Sequence, residues 1–397
     1  MQNHDGATGR RAARAGRWAI AAMFATNGMI MGAWAPQIPL LLPRHQITES
    51  TLGLLILGLG IGAVGSMLFS GRLIAAHGTR RVVIWFGALA VPLLPLVVFA
   101  PDVWLLALAM AAMGAVVGCM DVAMNANAVE VERRLDRAIM SSSHGFWSLG
   151  GFVGGAFGGI VLAQVGPGWQ ALTVAGVAAG LVAGAARFVI TGDLARPVGP
   201  VPPRVALFPR QAALWILGGM ALFSMVPEGA VLDWAALYLA DELGAGLAVS
   251  GLAFGLFSAA MAVMRFAGDG LRNRFGAVAT LRVSGLLGSA GLLLVALAPL
   301  DMVALAWFVL AGFGVANMVP ILFSAAGNQP GLPSGAGIAT VTMLGYCGIL
   351  IAPSTIGFVA EAAGFRLTYA TLAGLLLGVA ALAGRAAAAD ERPMRSA

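Results

Sequence analysis

Apolar residues in this chain come in long unbroken runs, separated by short breaks that carry arginine, glycine, proline or polar groups. The runs cover about 18–42, 51–76, 82–100, 103–129, 139–164 and 169–190. A second set covers 211–239, 248–268, 277–298, 302–326, 335–360 and 367–385. A helix needs about 20 mostly apolar residues to cross a bilayer, so the pattern predicts twelve transmembrane helices. Strands of an outer-membrane barrel would alternate apolar and polar positions instead. The longest break, ITGDLARPVGPVPPRVALFPRQ at 190–211, holds five prolines and reads as a linker between two six-helix halves. The expected organisation is a tail at 1–17, a six-helix bundle at 18–190, a linker at 191–210, a second bundle at 211–385 and a tail at 386–397. The basic start resembles a secretory leader, but the run from Trp18 to Leu42 exceeds the 7–15 residues of such a leader's apolar region. It reads as a cytoplasmic tail entering the first span.

The halves repeat. Trp34-Ala35 matches Trp234-Ala235 at an offset of 200, and Gly71, Leu73 and Gly78 match Asp269, Leu271 and Gly276 at 198. Gly150, Gly159 and Gly166 match Gly348, Gly357 and Gly364 at 198, and Gly118 and Asp121 match Gly314 and Asn317 at 196. Four matches in order at nearly constant offset point to two pseudo-symmetric six-helix bundles, with a substrate site where they meet.

Composition agrees with the pattern and charge orients it. Apolar residues make up 59% and charged ones 10%, against about 45–50% and 25% in soluble domains. All 23 basic residues are arginine, and the formal net charge is +6. These arginines sit in short loops, so they report orientation and give no reason to expect a nucleic-acid partner. With both termini cytoplasmic, every arginine except Arg44 and Arg366 falls inside, as the positive-inside rule requires. The expected location is the bacterial inner membrane, multi-pass, with the lipid bilayer as surroundings and the protein a monomer. Cys119 and Cys347 lie within spans and the four histidines are scattered. No disulfide framework, metal site or cofactor is expected, and no nucleophile–base pairing suggests an enzyme.

The loop GRLIAAHGTRRV at 71–82 resembles the signature loop of the major facilitator superfamily, G-x-L-x-D-x-x-G-R-[RK]. Gly71, Leu73, Gly78, Arg80 and Arg81 fit, while Ala75 and Thr79 depart from it. A second copy after span 8, RFAGDGLRNRFG, holds Arg265, Asp269, Arg274 and Gly276. Span 4, GCMDVAMNANAVEVERR, is similar to the fucose-permease type of sugar:proton symporter and to a MosC-like bacterial branch. The resemblance implies the twelve-helix major facilitator fold, alternating access, and a coupling proton carried by Asp121. It also implies that Gly71, Gly78, Arg80, Arg81, Arg265, Asp269 and Arg274 serve the gating loops.

Ionisable groups inside a span cost about 2.5–3.5 kcal/mol each on insertion scales and are functional by default. Asp121 of span 4 and Glu228 and Asp233 of span 7 are therefore the proton-coupling candidates. Asn125 lies one turn beyond Asp121 on the same face. Pro227 and Gly229 flank Glu228, which predicts a break in span 7 that exposes polar backbone to a cavity. Candidate substrate-binding residues are Asn27, Trp34, Gln37, Asn125, His144, Trp147, Asn317 and Tyr346, amides and aromatics that suit hydroxyls and a sugar face. Each could equally serve as interhelical packing or an interfacial anchor. Arg265 and Asp269, four apart, read as an ion pair. Two glycine rows in span 5, 150-154-158 and 151-155-159, read as surfaces for close helix packing. The expectation is proton-coupled transport of a small polar solute, with sugar or polyol favoured. Efflux of drugs or amphipathic metabolites is the alternative, against which the absence of a Gly-Pro in span 5 counts modestly.

Overall fold

The computed structural model describes residues 2–135, 139–191, 211–329 and 334–390, and among them every regular element is helical. The first half contains α1 (Gln2–Trp34), α2 (Ile38–His45), α3 (Glu49–Ala90), α4 (Leu93–Val98), α5 (Val103–Leu135), α6 (Met140–Phe152), α7 (Gly158–Val165) and α8 (Pro167–Ala186). The second contains α9 (Ala212–Leu243), α10 (Leu247–Phe275), α11 (Ala277–Ala296), α12 (Asp301–Val315), α13 (Met318–Gly327) and α14 (Ser334–Ala381). A tight 3₁₀ turn at Ala35–Gln37 joins α1 to α2, and a π turn at Val153–Phe157 joins α6 to α7. Among the described residues, nine stretches are long and apolar enough to cross a membrane. Two of these, Glu49–Val98 and Thr340–Ala381, contain a non-helical glycine, Gly78 and Gly364, and so each takes in two of the expected spans. The expected first span is helical but is not among the nine, because Thr26, Asn27 and Gln37 dilute its apolar character.

The segment before the first span continues α1 as helix from Gln2 onward, since its alanines and arginines favour helix. One expectation is corrected. The break expected at Pro227 is absent, and α9 runs unbroken through it. A proline removes one backbone donor, and a helix held by neighbours on several sides tolerates that loss inside a membrane. The expected linker falls almost entirely outside the described residues.

The glycine rows of span 5 pack as the sequence suggests, and each row has its own partner. A side chain on Gly150 or Gly154 would run into the backbone of α1, at the carbonyls of Ala25 and Met29. In return, Gly28 and Gly32 of α1 face the carbonyls of Trp147 and Gly151. The other row faces α10, in the opposite half. A Cβ on Gly155 would stand 2.9 Å from the Gly255 nitrogen, and one on Gly251 would stand 2.8 Å from the Gly159 Cα. A second seam between the halves joins α3 to α14, where a Cβ on Gly53 would meet the Ser354 Cα at 3.0 Å. Only glycine lets helix backbones approach so closely.

The repeat is written in the backbone as well. Gly78 and Gly276 have φ of 80° and 82°, and Gly166 and Gly364 have φ of 85° and 83°. Each pair is 198 residues apart, at positions the repeat had matched. Positive φ is easy only for glycine, so these turns account for why glycine recurs there. The two arginines expected outside, Arg44 and Arg366, also have matching jobs. Arg44 donates to the carbonyls of Val98 and Ala100, and Arg366 donates to those of Ala296 at 3.2 Å and Ala298 at 3.0 Å. Both acceptor pairs lie at a helix end, where carbonyls lack helical partners and a cation is favourable.

Gly154→Ala is expected to lower stability by about 1–3 kcal/mol, through overpacking against α1. Gly176→Ala, with no atom within 4 Å of the added carbon, should leave stability unchanged or slightly raised. Thermal unfolding of the purified variants in detergent checks both.

Candidate functional site

The interior between the halves is apolar apart from a few polar side chains, and these form three groups. The first spans the halves near the arginine-poor end. Trp34 ends α1 just before the 3₁₀ turn, and its indole Nε1 donates to Asp233 Oδ1 of α9 at 3.4 Å. Both side chains are buried. A cavity of about 20 Å³, room for a single water, lies beside them among Gly229, Asp233, Trp234, Pro353 and Ile356. Trp234, the repeat mate of Trp34, is also fully buried, and its Nε1 has no protein partner.

The second group is an ion pair set across the glycine seam. Arg265 of α10 reaches Glu228 of α9 at 3.1 Å and donates to Ser148 Oγ of α6 at 2.6 Å. Ser258 of α10 donates to the Ser148 carbonyl at 2.8 Å. One guanidinium therefore touches both halves. Arg265 was expected beside Asp269, whose side chain lies outside the described residues; the partner observed for Arg265 is Glu228, 37 positions away in the chain. Among the described residues no ion pair reaches Asp121 or Asp233.

The third group lies within the first half. Asn125 Nδ2 donates to Asp121, to its backbone oxygen at 2.9 Å and to Oδ1 at 3.3 Å, so the two share a face as expected. Trp147 Nε1 donates to Asn27 Oδ1 at 2.8 Å, which ties α6 to α1 beside Gly28. His144, one turn before Ser148, stands edge-on to Phe24 with ring centres 5.2 Å apart.

The remaining candidates are placed elsewhere. Gln37 Nε2 is bonded to Gln170 Oε1 at 2.6 Å and to the Pro167 carbonyl at 3.1 Å, so it holds the 3₁₀ turn after α1 to α8. Asn317, at the break between α12 and α13, donates to the Met264 carbonyl at 3.3 Å and packs on Gly268. The Tyr346 side chain lies outside the described residues. In the loop motif, Arg80 caps the Ala186 carbonyl at 3.2 Å, while Gly71, Arg81 and Arg274 are exposed. Thr79, which departs from the signature, accepts a bond from Asn127 at 3.0 Å. Asn127 also donates to the Ile190 carbonyl at 3.0 Å, so it ties the loop after α3 to the segment after α8.

Sequence reasoning missed Ser148, Ser258, Gln170 and Asn127. Ser148 could have been found, because it continues the 151-155-159 row that faces the opposite half. Gln170 and Asn127 carry no signal that separates them from other polar residues in apolar runs.

Helices long and apolar enough to cross a membrane, with a few polar groups set between two repeated halves, mark a multi-pass membrane protein of the transporter type. The sequence pattern of the Major Facilitator Superfamily matches residues 19–334. The chain belongs to this superfamily. An uncharacterized MFS-type transporter of Yersinia pestis is 35% identical over 361 residues, covering 91% of this chain and 93% of that protein. Membrane protein MosC of Rhizobium meliloti is 31% identical over 347 residues, covering 87% and 84%. Among solved structures, the nucleoside transporter NupG aligns with a TM-score of 0.68 at 12% identity, over 93% of this chain and 98% of that one. A bacterial homologue of the lysosomal transporter Spinster, in an inward-facing and occupied conformation, aligns with a TM-score of 0.67 at 16% identity, over 95% and 98%. The expected superfamily and its helical fold are thus borne out.

Arg265→Gln leaves Glu228 without its cation and should destabilise the protein by roughly 1–3 kcal/mol, less than a fully buried pair because both side chains keep some exposure. The double variant with Glu228→Gln should recover most of that loss. A double-mutant cycle on thermal unfolding measures the coupling.

Proposed function

We propose that the protein is a proton-coupled carrier of a small polar solute, with a sugar or polyol the favoured cargo, in the bacterial inner membrane. It crosses the bilayer twelve times with both termini cytoplasmic, and works as a monomer. The bundles at 18–190 and 211–385, joined by the cytoplasmic segment 191–210, rock about the central site to alternate access.

One observation carries the coupling assignment. Among the described residues no ion pair reaches Asp121 or Asp233, whereas Glu228 is paired with Arg265. An acid that is not held in an ion pair can take up and release a proton without first breaking one. Asp121 is the proton carrier, with Asn125 donating to its carboxylate. Asp233 links protonation to conformation, because its bond to Trp34 joins the halves: the neutral acid accepts that bond more weakly than the carboxylate. Glu228 and Arg265 keep α9 and α10 together and hold Ser148 across the seam.

Asn125, His144 and the Asn27–Trp147 pair offer the solute amide, imidazole and indole groups on the first-half wall. Trp34 offers an aromatic surface between the halves. Gln37 and Asn317 position helices in this reading and do not bind solute. Gly78 and Arg80 fix the loop after α3, with Gly71, Arg81, Asp269 and Arg274 flanking the two loop copies.

Internal pH of proteoliposomes, followed with a trapped dye while sugars, polyols and drug-like cations are added in turn, tests this. One sugar or polyol should acidify the interior, and Asp121→Asn should reduce that signal to the level of empty liposomes while still exchanging solute. Acidification that survives in Asp121→Asn sinks the proton assignment. Alkalinisation by cations would establish efflux of amphipathic compounds instead.

A further inference from the structure

A groove runs along the outer surface of the first half between α1 and α8. Ala15, Ala22, Gly180 and Gly184 make its floor, and Trp18 and Phe188 rise at its sides. These two rings are 66% and 56% exposed. The groove encloses about 420 Å³, within the range of small-molecule sites, and no charged residue lines it.

Its chemistry changes abruptly at the arginine-rich end. Arg11 lies one turn before Ala15 on α1 and Arg14 one turn before Trp18, so both stand beyond the groove on its own face. Arg187 follows α8 and adjoins Phe188. Neighbouring arginines are already engaged: Arg17 with Ser142, Arg80 with the Ala186 carbonyl, and Arg134 with Glu130 and the Thr191 carbonyl. Arg14 and Arg187 have no hydrogen bond or ion pair among the described residues, and residues 11–22 and 167–188 contain no acid. An apolar trough in the outer surface thus ends, among the described residues, in guanidinium groups with no acid partner.

We infer that this groove is a binding site for an anionic phospholipid. An acyl chain lies along Gly180 and Gly184 between the two rings, and the phosphate sits between Arg14 and Arg187. Guanidinium groups match phosphate oxygens in charge and geometry, and basic pockets beside transmembrane helices on this side recognise anionic headgroups. A second copy of the chain is the less fitting occupant. A two-fold contact places the same patch on both partners, which would bring two sets of these arginines together. The inference rests on the membrane location of the chain and is independent of its solute and coupling ion.

Native mass spectrometry of the full-length protein in detergent, with phosphatidylglycerol and phosphatidylcholine of identical chains, tests it. The wild type should retain phosphatidylglycerol with about tenfold preference. A Cβ on Gly180 or Gly184 meets no atom within 4 Å, so Gly180→Leu/Gly184→Leu fills the groove without clashing with the protein. That variant should unfold at or above the wild-type temperature and lose the preference. Arg14→Gln/Arg187→Gln should bind the two lipids alike. Equal retention of both lipids by the wild type, or full preference in the filled-groove variant, would overturn the inference. A wild-type dimer that becomes monomeric in the filled-groove variant would overturn it in favour of self-association.

Discussion

The close approach of α6 and its π turn to two helices at once is the constraint from which the rest of this molecule follows. Span 5 touches α1 along one glycine row and α10 along the next, so a single helix ties the interior of the first half to the surface of the second. Widening either contact by the width of a methyl group would separate Trp147 from Asn27, or Ser148 from Arg265. The hydrogen bonds that organise the interior are thus consequences of backbone proximity. The π turn falls at VGGAF, where small residues leave room for a helix to bulge, and such bulges often mark functional regions.

On this frame the charges divide their labour. The ion pair lies within the second half where it meets span 5, and its arginine also donates to Ser148 of the first half. The acids without cations are placed apart, one inside the first half and one at the other end of the contact. A carrier that rocks must hold its halves together while letting one end open. A hydrogen bond from an arginine that its own half holds in an ion pair suits the first task. A hydrogen bond from an indole to an acid, which changes strength with protonation, suits the second.

The fold was legible in the sequence because membrane solvation is a strong and local demand. Unbroken apolar runs mark helices. Recurring glycines matched at an offset of 198 turned out to share both position and φ. Asp121 with Asn125 could also be read, since one helical turn separates them. What could not be read were partners whose nearness is created by packing. Trp34 and Asp233 are 199 positions apart and Arg265 and Ser148 are 117 apart, and no periodicity joins them. Spacing pointed to Asp269 for Arg265, and the side chain of Asp269 lies outside the described residues. The proline of α9 misled for a related reason: a breaker in isolation becomes a tolerated irregularity once other helices hold it in place.

Arg44 and Arg366 show how the two halves have drifted apart since they became copies of one another. Their acceptors are the same carbonyl pair, repeated 198 residues on, yet the donors come from unrelated places: one follows the first span of its half and the other opens the last. Had the donor been inherited with its acceptor, both arginines would occupy matching positions. Descent has instead kept the demand of the helix end for a cation and let the supplier change. A substitution that looks like the loss of an invariant arginine in a relative can then be harmless, provided that another loop within reach has gained one. Reading constraint in such duplicated proteins therefore means following the atoms that must be satisfied and asking separately which residue satisfies them.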